Sequence, residues 1–310
     1  MATPVDNDMN KKSTQAMSLS ELPLVVVVGP TASGKSSLAM RIAKEYDGEI
    51  ICADSRTIYK DLTIGTAKPS DADRAEVPHW GLDLVEPGES FTAADFKKYA
   101  QEKVQEIRAR GHLPLLVGGT GLYVDGVIFD YEFAAPQPKL RVMLEELSLE
   151  NLLDYCANNN VVLPENEKNR RYVIRAIERK NTTSTRLDEP LPNTVIVGIT
   201  TERDALRARI TKRAEQLFDT GMVEEATMLG EKYGWNSEAM TGNVYRLAKQ
   251  FLDKEFDESE FVQRFITSDW QLAKRQLTWL KRNPFIYWVS LDDAYMYLKD
   301  VLGNSGRLSN

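Results

Sequence analysis

Residues 29–36 read GPTASGKS and place Gly29, Gly34, Lys35 and Ser36 at the spacing GxxxxGK[ST]. In such a loop the backbone N–H groups, here including those of Thr31, Ala32 and Ser33, point at an anion. Lys35 adds a mobile positive charge, and the Ser36 hydroxyl can hold Mg2+. A di- or triphosphate is therefore the expected ligand, which makes nucleotide binding, ATP included, the first class to weigh. A grip on phosphate does not say which reaction follows. Two further stretches offer reactive groups. EIICADSRTIYKDL carries Asp54, a carboxylate that could hold Mg2+, act as general base or cap the following turn. VGGTGLY sets the Thr120 hydroxyl among Gly118, Gly119 and Gly121, where a ligand can approach the backbone closely.

These groups need elements to hold them. The apolar run LPLVVVV precedes the phosphate loop and KSSLAMRIAKEY follows it with a helical pattern. EIICAD, WGLDLV, LPLLVGG, NTVIVGIT and FIYWVSL have strand length, and TAADFKKYAQEKVQEIRARG is amphipathic. Continuous apolar strands alternating with helices predict an α/β fold, a P-loop doubly wound parallel sheet covered on both faces. Asp54 and the VGGTGLY stretch then fall at carboxyl ends of strands, where open α/β sheets place ligands.

The rhythm breaks between residues 134 and 190. AAPQP opens this stretch, and KLRVMLEEL and EKNRRYVIRAIERK follow with no strand between them, so a helical insertion domain is predicted. The expected organisation is a disordered tail at 1–20, the first part of the core at 21–133, the insertion at 134–190, the second part with C-terminal helices at 191–303, and a tail at 304–310. From Lys168 to Arg186 the insertion carries Lys168, Arg170, Arg171, Arg175, Arg179, Lys180 and Arg186 against one acid, Glu178. The chain as a whole, 310 residues with 42% apolar residues, has a formal net charge of −7. A surface uniformly coated for nucleic acid is thereby excluded, and a polyanion must find a local basic patch. No apolar run approaches the roughly 20 residues a membrane span needs, and the N-terminal stretch lacks a signal-peptide core, so a cytoplasmic protein is expected. Cys52 and Cys156 stand in a strand and a helix without a CxxC or Cys/His cluster, which points to reduced, structural thiols.

In order, GPTASGKS, ADSRTIYKDLTIGTAKP, FTAADF, LVGGTGLY, NRRYVIRAIE and AKRQLTWLKR resemble the tRNA dimethylallyltransferase family, also called isopentenyltransferases, over residues 22 to about 290. The resemblance implies a P-loop core with an RNA-binding helical insertion. It also implies transfer of a dimethylallyl group from dimethylallyl diphosphate to N6 of adenosine 37, beside the anticodon of tRNA. The loop then holds the diphosphate leaving group and no ATP need be cleaved. Asp54 fills the place of the base, Lys35 and Mg2+ on Ser36 stabilise the leaving charge, and Thr120 orients the amine. The implied tRNA contacts, on the anticodon stem-loop, are Asp54, Ser55, Arg56, Thr57, Thr120, Arg141, Arg170, Arg171, Arg175, Lys274 and Arg275, with Lys281 and Arg282 as further cations. A monomer is expected.

The chain departs from the family pattern in places. Thr57 stands where the family has a glutamine in DSxQxY, and GNVYRL at Gly242–Leu247 replaces GIGYKE. His79 and Trp80 stand where the family tends to have two histidines, and the expectation for them is structural. The stripe of Trp270 and Trp279 is expected to be core. No Cys/His pair follows the core, so no zinc finger is expected. Prenyl transfer to free adenosine nucleotides, a small-molecule kinase, or an RNA-binding relic remain alternatives on sequence alone.

Overall fold

The computed structural model describes residues 22–135, 137–180 and 185–306. The expected tail at 1–20 and residues 307–310 lie outside the described residues. In chain order the elements are β1 (Leu24–Val28), α1 (Lys35–Glu45), β2 (Gly48–Ala53), α2 (Asp71–Glu76), β3 (His79–Trp80), α3 (Ala93–Ala109), β4 (Leu113–Gly118), α4 (Gly121–Ile128), α5 (Pro138–Glu145), α6 (Leu149–Asn158), α7 (Arg170–Glu178), β5 (Thr194–Ile199), α8 (Arg203–Gln216), α9 (Met222–Tyr233), α10 (Asn243–Leu252), α11 (Glu258–Leu280), β6 (Tyr287–Val289) and α12 (Leu291–Gly306).

The strands form one sheet in the order β3-β2-β4-β1-β5-β6, and each named pairing is parallel. Every residue of β1 is buried, as a central parallel strand requires. Its side chains alternate between two cores. Val25 and Val27 join Leu38 and Ile42 of α1 and Leu298 of α12. Val26 and Val28 join Phe96 of α3 and Ile210 of α8 on the other face. The FTAADF stretch proves to be a helix start: Thr92 accepts from the Asp95 amide while the Asp95 carboxylate accepts from the Thr92 amide, closing a capping box at α3.

Three elements differ from their sequence expectation. Of WGLDLV only Trp80 pairs with the sheet, as the second residue of β3, because Gly81 and Asp83 take left-handed backbone angles of 79° and 54° that break the ladder. Gly81 is required there, since a Cβ would lie 2.8 Å from the Cys52 carbonyl. FIYWVSL shortens to the three-residue edge strand β6. Helix α12 runs to Gly306, past the point where a tail was expected to begin at 304.

Helices α5, α6 and α7 have a core of their own, built from Leu144, Leu152, Cys156, Val161, Val173, Ile174 and Ile177. Glu178, the one acid of the basic run, is buried beneath it and pairs with Arg141 and Arg175. Removing one partner of such a buried pair leaves an uncompensated charge. Because this small core is separate, Leu152→Ala should destabilise the insertion by about 2–4 kcal/mol. Hydrogen exchange should show protection lost in α5–α7 and kept in β1. Equal loss in both would show one cooperative unit.

Candidate active site

The turn from β1 into α1 bends through Ala32 and Gly34, at φ 60° and 93°. Gly34 caps α1 without a side-chain acceptor, so the amides of the first turn keep their capacity for an anion. The Lys35 amine folds back to donate to the Pro30 carbonyl at 3.1 Å. Burial pushes its pKa down from 10.5, the nearby Asp54 carboxylate opposes this, and Arg213 adds to the lowering.

Two helices distant in sequence hold the outer side of this loop. Gln276 of α11 accepts the Thr31 amide through Oε1 at 2.8 Å. From α8, Arg213 donates to Thr31 Oγ1 at 3.3 Å, and Arg209 donates to the carbonyls of Ala32 and Ser33 at 3.3 and 3.2 Å. Sequence reasoning missed all three. Arg209 and Arg213 share one helix face by their i, i+4 spacing, but nothing local ties that face to a loop some 180 residues earlier. Gln276 stood inside AKRQLTWLKR as part of a motif without a role.

The second half of the site hangs on two neighbouring strand ends. Ala53 of β2 pairs with Gly118 of β4, and a Cβ on Gly118 would lie 2.0 Å from the Ala53 carbonyl oxygen. Just beyond, Thr120 donates its amide to Ala53 O at 3.3 Å, and Thr120 Oγ1 accepts the Ser55 amide at 3.1 Å. Asp54 Oδ1 accepts the Arg56 amide at 2.8 Å. One carboxylate oxygen thus caps the turn, and among the described residues Oδ2 carries no hydrogen bond. Thr57 is buried, with its hydroxyl 3.4 Å from the Asp54 carbonyl. Arg56 donates to Glu238 O and Thr241 Oγ1, both at 3.1 Å. The TIGTAKP segment is anchored by Glu225, whose carboxylate accepts the amides of Thr63, Ile64 and Gly65 and the Tyr245 hydroxyl.

A cavity of about 1360 Å³ joins these parts, with Lys35, Asp54, Thr120, Arg213 and Arg275 in its wall. Ser36 also faces it. Ser36 and Asp54 in one wall offer oxygen donors, the kind a hard cation such as Mg2+ takes. Cys52 lines the same space, its thiol pushed up to about 12 by burial and by Asp54, which keeps it protonated and inert.

The basic candidates divide. Arg170 is tied to the fold, donating to the carbonyls of Leu147, Leu144 and Glu145. Arg175 and Arg141 are held by Glu178. Those three therefore serve the insertion's own packing in this structure, because a basic run on a short helix must also satisfy loop carbonyls and a buried acid. Arg171 remains 70% exposed, with Glu238 at 3.4 Å. Lys274 and Arg275 lie on an exposed face of α11. His79 Nδ1 donates to the Val77 carbonyl and Trp80 donates to the buried Glu49. Trp270 packs against the core, whereas Trp279, expected in the core, is 36% exposed and donates to Asp125.

A phosphate loop opening onto a carboxylate and a hydroxyl at adjacent strand ends defines a P-loop protein built for group transfer. A family model described as IPP transferase matches residues 57–283. The chain is 37% identical over 281 residues to the tRNA dimethylallyltransferase of Synechococcus sp., covering 87% of this chain and 90% of that one. It is 35% identical to that of Anoxybacillus flavithermus, with 90% and 93% covered. Among solved structures, the tRNA isopentenylpyrophosphate transferase of Bacillus halodurans superposes with a TM-score of 0.69 at 32% identity, covering 92% and 96% of the two chains. A eukaryotic dimethylallyltransferase acting on tRNA shares the fold at 21% identity, with a TM-score of 0.73 over 86% of this chain and 73% of that one. The chain belongs to the tRNA dimethylallyltransferase family.

Because burial lowers the Lys35 pKa below 10.5, the unfolded chain binds more protons than the folded one between the two values, and stability rises with pH across that window. Below the window the buried charge is a constant cost. Lys35→Met should therefore raise the melting temperature of the ligand-free protein at neutral pH and weaken pyrophosphate binding about 100-fold. Calorimetry checks both. A variant that melts lower yet binds normally would remove Lys35 from the anion site.

Proposed function

We propose that the protein transfers a dimethylallyl group from dimethylallyl diphosphate to N6 of adenosine 37 in the anticodon loop of tRNA, releasing pyrophosphate. The observation that carries this reading is the shared cavity, in which the anion-binding loop and the Asp54–Thr120 pair face one space. The relatives are named tRNA dimethylallyltransferases, which supports dimethylallyl transfer and tRNA as the substrate class.

The allylic carbon–oxygen bond breaks and its electron pair leaves on the diphosphate. Lys35 and the first-turn amides of α1 receive that charge. N6 forms the new bond to carbon and gives its proton to Asp54 Oδ2. This matters because the lone pair of an exocyclic adenine amine is delocalised into the ring. Thr120, fixed by the Ser55 amide, positions the amine. Ser36, with the diphosphate, would hold Mg2+, which supplies further charge neutralisation. Reaching the cavity requires the adenine to leave the loop stack, and Arg171, Lys274 and Arg275 offer cations for the RNA backbone outside. One chain supplies every group named, so a monomer suffices. Among the described residues no helix is long and apolar enough to cross a membrane, in keeping with action on tRNA in the cytoplasm.

Labelled dimethylallyl diphosphate, offered with Mg2+ and either unmodified tRNA or AMP, should label the tRNA. Label on AMP alone would overturn the RNA assignment. Asp54→Asn keeps the cap to Arg56 but accepts no proton, so single-turnover transfer should slow about 100-fold or more with both ligands still bound. Near-normal transfer would sink the base. Arg171→Ala should lower the slope of log affinity for tRNA against log salt by about 0.7–0.9, one phosphate contact, and leave pyrophosphate binding unchanged. An unaltered slope would place the RNA elsewhere.

A further inference from the structure

Two residues of α11 bear on both halves of the site. The phosphate loop and the VGGTGLY turn leave the sheet side by side, since Val28 of β1 pairs with Gly118 of β4, and past that last pair the ladder no longer sets their spacing. Gln276 spans the gap. Its Oε1 accepts the Thr31 amide at 2.8 Å, and its Nε2 would lie 2.4 Å from a Cβ on Gly119, with the Gly29 carbonyl oxygen 3.2 Å from the same point. Glycine at 119 thus lets one side chain rest against both loops. One turn further along α11, Trp279 covers Gly121, where a Cβ would lie 2.0 Å from the indole Cδ1. Its Nε1 donates to Oδ2 of the buried Asp125 at 2.7 Å. Gly121 and Asp125 share one face of α4 by their i, i+4 spacing, so the indole is held at two points although it is partly exposed. Thr120 stands between the two covered glycines, where its hydroxyl accepts the Ser55 amide.

We propose that Gln276 and Trp279 are positioning residues of the transfer reaction: acting through Thr31, Gly119 and Gly121, they fix the distance between the phosphate loop, where the diphosphate leaves, and Thr120, beside which N6 attacks. This rests on the function proposed above. Bond making by N6 and bond breaking at the diphosphate oxygen share one carbon, so the two loops must stand at one separation, and a misplacement of about 1 Å can cost about 100-fold in rate. Either substrate bound by itself engages one loop and does not sense that separation. The strut therefore shows in the rate of transfer and not in the affinities.

The test is single-turnover transfer from labelled dimethylallyl diphosphate to unmodified tRNA, both saturating and with Mg2+, set beside calorimetric binding of pyrophosphate and of tRNA, each alone. Gln276→Met keeps the bulk against Gly119 but offers the Thr31 amide no oxygen, so transfer should slow about tenfold or more while each affinity stays within about threefold of the parent. Trp279→Phe and Asp125→Leu, which break the anchor of the indole, should each slow transfer about three- to tenfold, whereas Asp125→Asn keeps an acceptor for the indole and should hold the rate within about twofold of the parent. These three decide the matter if Gln276→Met fails to fold. Parental rates in both Gln276→Met and Trp279→Phe, or a slowing matched by an equal loss of affinity, would overturn the proposal. A parent that transfers nothing to tRNA would instead overturn the proposed function and this inference with it.

Discussion

The register of β2 against β4 is the constraint on which the site depends. Ala53 opposite Gly118 is the last pair of that ladder, and the chains leave it in directions that bring Asp54 and Thr120 together. A side chain at Gly118 would collide with the Ala53 carbonyl, and a slip by one residue would exchange the faces on which every later side chain lies. The hydrogen bonds that follow, Thr120 to Ala53 and Ser55 to Thr120, extend the ladder one step beyond the strands. They give the Thr120 hydroxyl and the Asp54 carboxylate positions set by the sheet and not by a loose loop. A geometry needed to a fraction of an ångström is best placed on such rigid support.

The phosphate loop is held by a different device. Its backbone turn is left-handed at Ala32 and Gly34, and its outer side is clasped by α8 and α11 through Arg209, Arg213 and Gln276. The turn is thus held in shape by distant elements, so less ordering would remain for an anion to impose. The cost appears as desolvation of Lys35 and Asp269, whose pKa values burial drives down and up respectively. Both buried ionisable groups sit in the wall of one cavity, which is where stability is given up for function.

The insertion solves a separate problem. With seven cations in a short run it would repel itself unless some of them were engaged. Glu178 and the carbonyls that end α5 take up Arg141, Arg170 and Arg175, and a small apolar core closes the unit. Cations that count toward net charge are therefore not all available to a nucleic acid, and Arg171, still largely exposed beside Glu238, differs in this from Arg170 and Arg175.

The amino-acid sequence by itself determined the fold class, the P-loop, and the strand-end candidates Asp54 and Thr120, since apolar runs of strand length and glycines at fixed spacing are local signals with direct structural consequences. It also marked the helical insertion through the prolines and the loss of strand pattern. Tertiary structure alone decided which residues complete the site. Arg209, Arg213 and Gln276 reach the phosphate loop only because α8 and α11 fold back across the sheet, and no periodicity in those helices encodes that contact. The same holds for the division of the basic run, because Arg170 and Arg171 are adjacent in sequence and one turns to backbone carbonyls while the other, largely exposed, reaches Glu238. Where β3 stops was likewise decided by Gly81 meeting the Cys52 carbonyl. Local chemistry sets which residue types are present and what element they form, whereas packing between distant elements sets which charges are left to meet a ligand.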